Sequence, residues 1–333
     1  MSKIQEAKKL VLEYYNELEN ASAKQTAEVL KKYTAKEYNF KGSYPLREQS
    51  NVQDVADKFW SPIKESLGSM QRRMDIFMAG DNEMEEEEEI WVMSMGNFMG
   101  NFVKDWLGVR CTNKLINLRY CEFSCVKEGK IIKTGLFYDM IGFMVHAGAN
   151  PLPPQVGSSF VYPGPREHNG LLYEPMHKEE GEKTLNLVKS MMNQTNPYED
   201  VLDCMPHEDL AKNWAEDMLW CGSAGAGYTI PVFQEHQKDF RRNLVGRKFN
   251  GHIVRFAEGN FCCFFGWPNL INTPTGGYLG MIGGEKEAEM QVVDIYYRKG
   301  DKLAENWVFP DIPYWAHQLG LEIFDRTKSI LNP

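Results

Sequence analysis

The sequence predicts an α+β protein of two tandem cone-shaped domains, each a strongly curved antiparallel sheet wrapped around helices. Three observations lead there. Glu128 to Gly148, EGKIIKTGLFYDMIGFMVHAG, returns as Gly300 to Gly320, GDKLAENWVFPDIPYWAHQLG, and an offset of 172 residues matches Glu122 with Asp294, Lys130 with Lys302, Phe137 with Phe309, Asp139 with Asp311 and Gly148 with Gly320. A period this long marks two copies of a whole domain, because solenoid repeats run to about 20–50 residues. The 333 residues suit two domains of about 150 residues, each able to bury a core. Each half also places helical periodicity first and strand runs after it, the order of a sheet folded over helices. The expected division is 1–149 and 184–333, joined by a linker over 150–183.

In the first half, Ile4, Ala7, Val11, Tyr14 and Leu18 recur at spacings of three and four, which predicts an amphipathic helix over 3–19. A short helix near Thr26 to Tyr33 and an extended stretch to Tyr44-Pro45 follow. A further helix then presents Val52, Val55, Ala56, Phe59 and Ile63. Runs rich in β-branched, aromatic and Met residues over 72–79, 89–98, 114–126 and 130–137 predict a meander. The acidic run Glu85 to Glu89 falls between the first two strands and is best left in water at a hairpin tip. Residues 150–183 carry a run of prolines that fix φ and withhold donors from a sheet, hence the linker. In the second half Leu185, Val188 and Met192 predict a helix, Leu210, Trp214 and Met218 another, and Val232 to Leu244 a third. Strands are expected over 252–257, 260–267, 288–297 and 303–309.

Composition restricts the partners. A net charge of −9 argues against nucleic acid, whose binding depends on Lys and Arg neutralising phosphates. No run of about 18 apolar residues exists to span a membrane, and the charged N-terminus lacks a signal-peptide core. The seven cysteines show no CxxC pair and read as reduced core residues of a cytoplasmic protein. The seven histidines show no HExxH or paired spacing, so no metal site is expected.

The segments GNFVKDWLGVRCTNK (Gly100 to Lys114) and CEFSCVKEGKI (Cys121 to Ile131), together with the strand-Asp-helix-Gly ending of both halves, resemble the SnoaL-like polyketide cyclases of the nuclear transport factor 2-like superfamily. The resemblance implies the cone fold and an internal pseudo-dimer in place of a homodimer. It also implies acid/base closure of a polyketide ring without metal or cofactor, using an Asp on the last strand and a His on the strand before it. Carried over, the Asp position falls on Leu136 and Val308, so that acid is missing from both halves. The His position falls on Glu122 and Asp294, a carboxylate in each.

Several residues therefore stand as candidates. Asp139 and Asp311 are the most visible matched acids, yet each precedes a short helix, where Asp is a preferred N-cap; capping is the first reading and catalysis the second. Glu122 and Asp294, inside apolar strands, are expected to have raised pKa values suited to proton transfer, unless paired with Arg119 or Arg298. Asn306 shares parity with Val308 and could stabilise an enolate oxygen. His252 could serve as a base, while its counterpart Arg73 could hold an anion. Trp220, Tyr228, Trp267, Tyr278 and Trp106 offer aromatic walls for a flat ligand. The Gly-rich GSAGAGY (Gly222 to Tyr228) lacks phosphate-loop spacing and reads as a pocket-edge loop. The leading expectation is a cofactor-independent acid/base enzyme acting on an apolar carbonyl or aromatic small molecule, with the second half the stronger candidate. The rivals are a small-molecule binding protein without turnover and a pseudo-dimer with one inert copy.

Overall fold

The computed structural model describes residues 2–152, 162–195, 203–223 and 225–331. They divide into two compact units, Met1–Pro151 with Pro163–Pro175 and Glu322–Pro333, and Leu152–Tyr162 with Met176–Leu321.

The first unit opens with α1 (Lys3–Asn20), whose first turn is capped by Ser2 accepting from the Gln5 amide at 3.3 Å and whose buried face is Ala7, Val11, Tyr14, Tyr15 and Leu18. Then come α2 (Thr26–Tyr33), β1 (Thr34–Gly42), β2 (Arg47–Gln49), α3 (Val52–Val55), a π-helical turn and α4 (Ser61–Ser66). Four long strands complete the sheet, β3 (Leu67–Asp81), β4 (Ile90–Phe102), β5 (Leu115–Lys127) and β6 (Lys130–Tyr138), before α5 (Met140–His146). The curved sheet runs β2-β1-β6-β5-β4-β3, with β1 parallel to β6. Glu85 to Glu88 are exposed at the β3–β4 tip, as expected, whereas Glu89 turns inward to Lys133 and the Trp91 indole.

The second unit contains α6 (Lys178–Thr195), α7 (His207–Leu210), β7 (Trp214–Gly222), β8 (Gly225–Tyr228), α8 (Ile230–Asn243) and β9 (Leu244–Phe249). Then follow β10 (Val254–Glu258), β11 (Phe261–Phe265), β12 (Leu270–Pro274), β13 (Ala288–Met290), β14 (Val292–Lys299), β15 (Lys302–Pro310) and α9 (Ile312–Gln318). Its larger sheet, read from the β8 edge, is β8-β7-β15-β14-β11-β10, again with one parallel pair, β7 with β15. The strand order is that of the first sheet. Register repeats as well: Glu122 faces Leu136 and Asp294 faces Val308, and both hairpins carry a bulge after the residues matched at Cys125 and Tyr297.

The units differ where the first has unbroken strands. β9 and β10 together occupy the course of β3, β11 and β12 that of β4, and β13 and β14 that of β5; the halves split off as a separate sheet, β13-β12-β9. Three local features produce the break. A Cβ on Gly266 would come within 2.3 Å of the Gly251 carbonyl oxygen, so backbone meets backbone there and only glycine fits. Pro268 has no N–H to give a ladder. The buried Asn269 carbonyl Oδ1 then accepts from the amides of Gly266 (2.9 Å) and Val292 (2.8 Å), tying one break to the next.

Other expectations change. Leu210, Trp214 and Met218, expected on one helix, divide between α7 and β7, because a spacing of four also fits an even strand period. The helix α6 begins at Lys178, inside the expected linker. Part of that linker belongs to the first unit: the Phe77 amide donates to the Gly170 carbonyl and the Leu172 amide to the Phe77 carbonyl, both at 2.8 Å. The last helix, α10 (Ile323–Leu331), also lies on the first unit, where the Thr327 hydroxyl meets Met144 Sδ at 3.3 Å. The remainder of the linker, 153–161, is outside the described residues. Among the described residues no helix is long and apolar enough to cross a membrane.

Asp139 Oδ1 accepts from the Gly142 amide at 2.9 Å and Asp311 Oδ1 from the Tyr314 amide at 3.2 Å, so both are N-caps. Asp311→Ala is expected to lower stability by about 1 kcal/mol, the usual scale for a lost cap, measured by urea unfolding. An unchanged midpoint would show that water replaces the cap at no cost.

Candidate functional site

The broken strands of the second unit open a cavity of about 930 Å³, a size that suits one ligand of drug-like dimensions. Its floor is the sheet. Alternation sends Val292, Asp294 and Tyr296 of β14, and Asn306, Val308 and Pro310 of β15, to the cavity, while the odd-numbered neighbours Trp307 and Phe309 are buried on the other face. Helix α8 forms a wall with Phe233, His236 and Phe240, spaced at three and four. Met191 and Met192 of α6 and Tyr278 of the Gly-rich stretch 275–284 add apolar surface.

Asp294 is the acid of this cavity. Its Oδ1 accepts from Asn306 Nδ2 and from the Tyr296 hydroxyl, both at 3.2 Å, whereas Oδ2 has no hydrogen-bond partner among the described residues. Burial raises its carboxyl from 3.8 to about 6, against those two hydrogen bonds, which favour the charged form. Arg298, the alternative partner, is turned away by the bulge after Tyr297 and engages Glu180 at 2.6 Å and Thr184 at 2.9 Å.

Two roles change with the geometry. Both N–H groups of Asn306 are committed, one to Asp294 and one to the Ile295 carbonyl at 3.1 Å. Asn306 therefore positions the carboxylate and has no donor left for an enolate. His252 lies just before β10 instead of opening a strand. It lines the cavity, stacks on Phe264 at 3.8 Å between ring centres and receives Arg255 Nη1 on Nδ1 at 3.3 Å. A guanidinium only donates, so Nδ1 carries the lone pair and Nε2 the hydrogen. Burial and Arg255 hold the ring down at about 3, leaving His252 a neutral donor and not a base.

Among the aromatic candidates Trp220 and Tyr278 line the cavity, as does Val308. Tyr228 stands 49 % exposed on the edge strand β8 and Trp267 lies in the β11–β12 break, neither on the cavity wall. Gly222, Ser223, Gly225 and Gly227 border the cavity, but as part of the antiparallel pair β7–β8 and not as the expected loop; residue 224 is outside the described residues.

The corresponding region of the first unit is filled. Phe98 stacks on Tyr120 at 4.1 Å, and Phe59, Trp60 and Trp106 pack around them; Trp106 is thus core. Glu122, 1 % exposed, pairs with Arg72 at 2.8 Å and not with Arg119, which lies 3.8 Å from Asp139. The Arg72 guanidinium sits 3.6 Å above the Tyr15 ring. Arg73 points outward to Asp75 at 2.7 Å with its side chain 57 % exposed, so it holds no ligand in a cavity. Strand register explains the contrast between the units. Phe98 faces Arg72 and the matched Leu270 faces Phe249, so the position that supplies the counter-charge to Glu122 carries no charge in the second unit, and the residue directly across from Asp294 is Phe264.

Sequence reasoning missed His236, although its spacing from Phe233 and Phe240 on a predicted helix marks it as facing the same way. Its ring lies against Trp220, tilted by 31°, with the centres 3.9 Å apart. Among the described residues no group of three or more His, Cys, Asp or Glu side chains is disposed to hold a metal ion.

No family model matches the chain, and no curated protein matches it. Solved structures do. One from a Jannaschia species, provisionally described as a SnoaL-like polyketide cyclase, shares 15 % identity over 46 % of this chain and 98 % of its own, at a TM-score of 0.34. An NTF2-like protein from Burkholderia xenovorans shares 13 % over 41 % and 96 %, at 0.32. An epoxide hydrolase of M. tuberculosis, described as LEH-like, shares 8 % over 43 % and 94 %, at 0.30.

Proposed function

We propose that the second unit is an acid/base catalyst that acts on an apolar carbonyl compound with its own side chains, and that the first unit is a structural copy of the same domain. The observation that carries the reading is Asp294: a carboxylate without a counter-charge, held by Asn306 and Tyr296 through Oδ1, with Oδ2 left to a ligand in an apolar cavity. A base poised near the working pH is effective in proton transfer. The natural partner is a small hydrophobic or aromatic molecule, consistent with the Met-rich and aromatic lining.

The test is exchange of the α-protons of 1-tetralone, an apolar bicyclic ketone, followed by NMR in D₂O. Deuterium is expected to enter the α-position faster with protein than without. If the ketone binds and no exchange above background occurs, the second reading holds, a binding protein without turnover. That reading is favoured by Asn306, whose amide is committed to the protein.

A further inference from the structure

Abstraction of an α-proton places negative charge on the carbonyl oxygen, and that oxygen needs a donor. Asn306 cannot be it, for both its N–H groups are used, and His252, the other neutral donor of the cavity, stacks on the Phe264 paired directly with Asp294, on the base's own side. The cavity holds another polar side chain on the opposite wall. His236 lines it from α8, its ring tilted by 31° against that of Trp220, and neither ring nitrogen has a hydrogen-bond partner among the described residues. The side chain is half-buried in the cavity wall, so a ligand atom can supply the missing partner.

We propose that His236 is a catalytic residue that donates a hydrogen bond to the ligand's carbonyl oxygen while Asp294 handles the α-proton, which defines the substrate class as enolisable ketones with an apolar body. The inference rests on the acid/base reading of this cavity. Trp220 is the register partner of Asn306, whose amide touches Asp294. His236 on Trp220 is thus displaced from Asp294 by two strand spacings, roughly 10 Å across the sheet, room for a ligand between them. Asp294 Oδ2 takes the α-proton and the C–H electron pair becomes the C=C bond of the enolate. The carbonyl π pair moves to oxygen, where it accepts the imidazole N–H. Return of the proton from Asp294 to carbon reverses each movement, so no oxidant, reductant or other reactant is required. The role needs a neutral ring, since a neutral imidazole keeps one N–H and loses no proton to solvent at working pH. Burial supplies this by lowering His236 to about 4. An oxygen that can only accept selects the tautomer with N–H toward it.

The carbonyl stretch of bound 1-tetralone tests this directly, because donation to the oxygen lowers its frequency. The expected result is a band in the full-length protein below that of the ketone in an apolar solvent. The shift should be lost in His236→Phe, which keeps a ring over Trp220, and partly restored in His236→Gln. Affinity should follow: the preference for 1-tetralone over tetralin, its hydrocarbon analogue, should fall about tenfold in His236→Phe, the scale of one hydrogen bond, with tetralin binding unchanged. An unshifted band in the wild type, or a shift that survives His236→Phe, overturns the assignment and leaves Asp294 to its own exchange experiment. Should His236→Phe fail to fold, the wild-type band and His236→Gln decide. Absence of any 1-tetralone binding overturns this assignment and the reading beneath it together.

Discussion

Asp294→Asn is expected to slow α-proton exchange by about 10²-fold or more, the scale of general base catalysis, and to make the protein more stable at pH 8. The two effects share a cause. In the native state the carboxyl titrates at about 6 instead of 3.8, so between those values the folded protein holds a proton that the unfolded chain has released. The protonated form therefore contributes stability that is fully present below about pH 3.8 and lost as pH rises through about 6. Two pH units correspond to about 3 kcal/mol. Asn is neutral throughout and lacks that loss. Relative to wild type, Asp294→Asn should gain up to about 3 kcal/mol between pH 4 and pH 8 in urea unfolding, while exchange by the wild type should rise with an apparent pKa near 6. A variant whose stability follows wild type at every pH would mean that Asp294 is solvated as an ordinary carboxylate, and the base would have to be sought elsewhere.

Arg72→Met is expected to destabilise the first unit by about 3–5 kcal/mol, because it leaves Glu122 charged in a dry interior. Glu122 is 1 % exposed. Burial works to raise its carboxyl, and Arg72 is the principal opposing influence. The double variant Arg72→Met with Glu122→Leu should recover most of the loss, since a buried ion pair can be replaced by apolar packing at little cost. Urea unfolding of the four members of this cycle measures the coupling. Binding of 1-tetralone in the second unit should not change in any of them. A single-variant loss below about 1 kcal/mol would show the pair to be hydrated, and the contrast with Asp294 would lose its basis.

The two carboxylates show what a repeat can and cannot convey. Both occupy one strand position and both were legible as buried acids inside apolar strands, yet one is neutralised and the other is not. The difference lies at Arg72 and Phe249, which align only when the register of β3 and of β9 is known. A simple offset of 172 residues does not pair them, because the loops between change length. His252 and Arg73 correspond by strand order and not by register, and neither has the expected role. His236 was hidden differently: its helix was legible, but nothing in the sequence marks that face as lining a cavity.

By itself the sequence determined the central strands of each half and most of the helices, the capping of α5 and α9 by Asp139 and Asp311, and the common face of Asn306 and Val308. These depend on local periodicity and on chemistry within a turn, which a chain carries in its residue spacing. Only the tertiary structure decided that the strands of the second unit break at Gly266 and Pro268, that Arg298 turns from Asp294 to Glu180, and that Asn306 spends its donors on the protein. Those outcomes depend on which backbone lies beside which, and on a one-residue bulge that moves a side chain to the other face of a sheet.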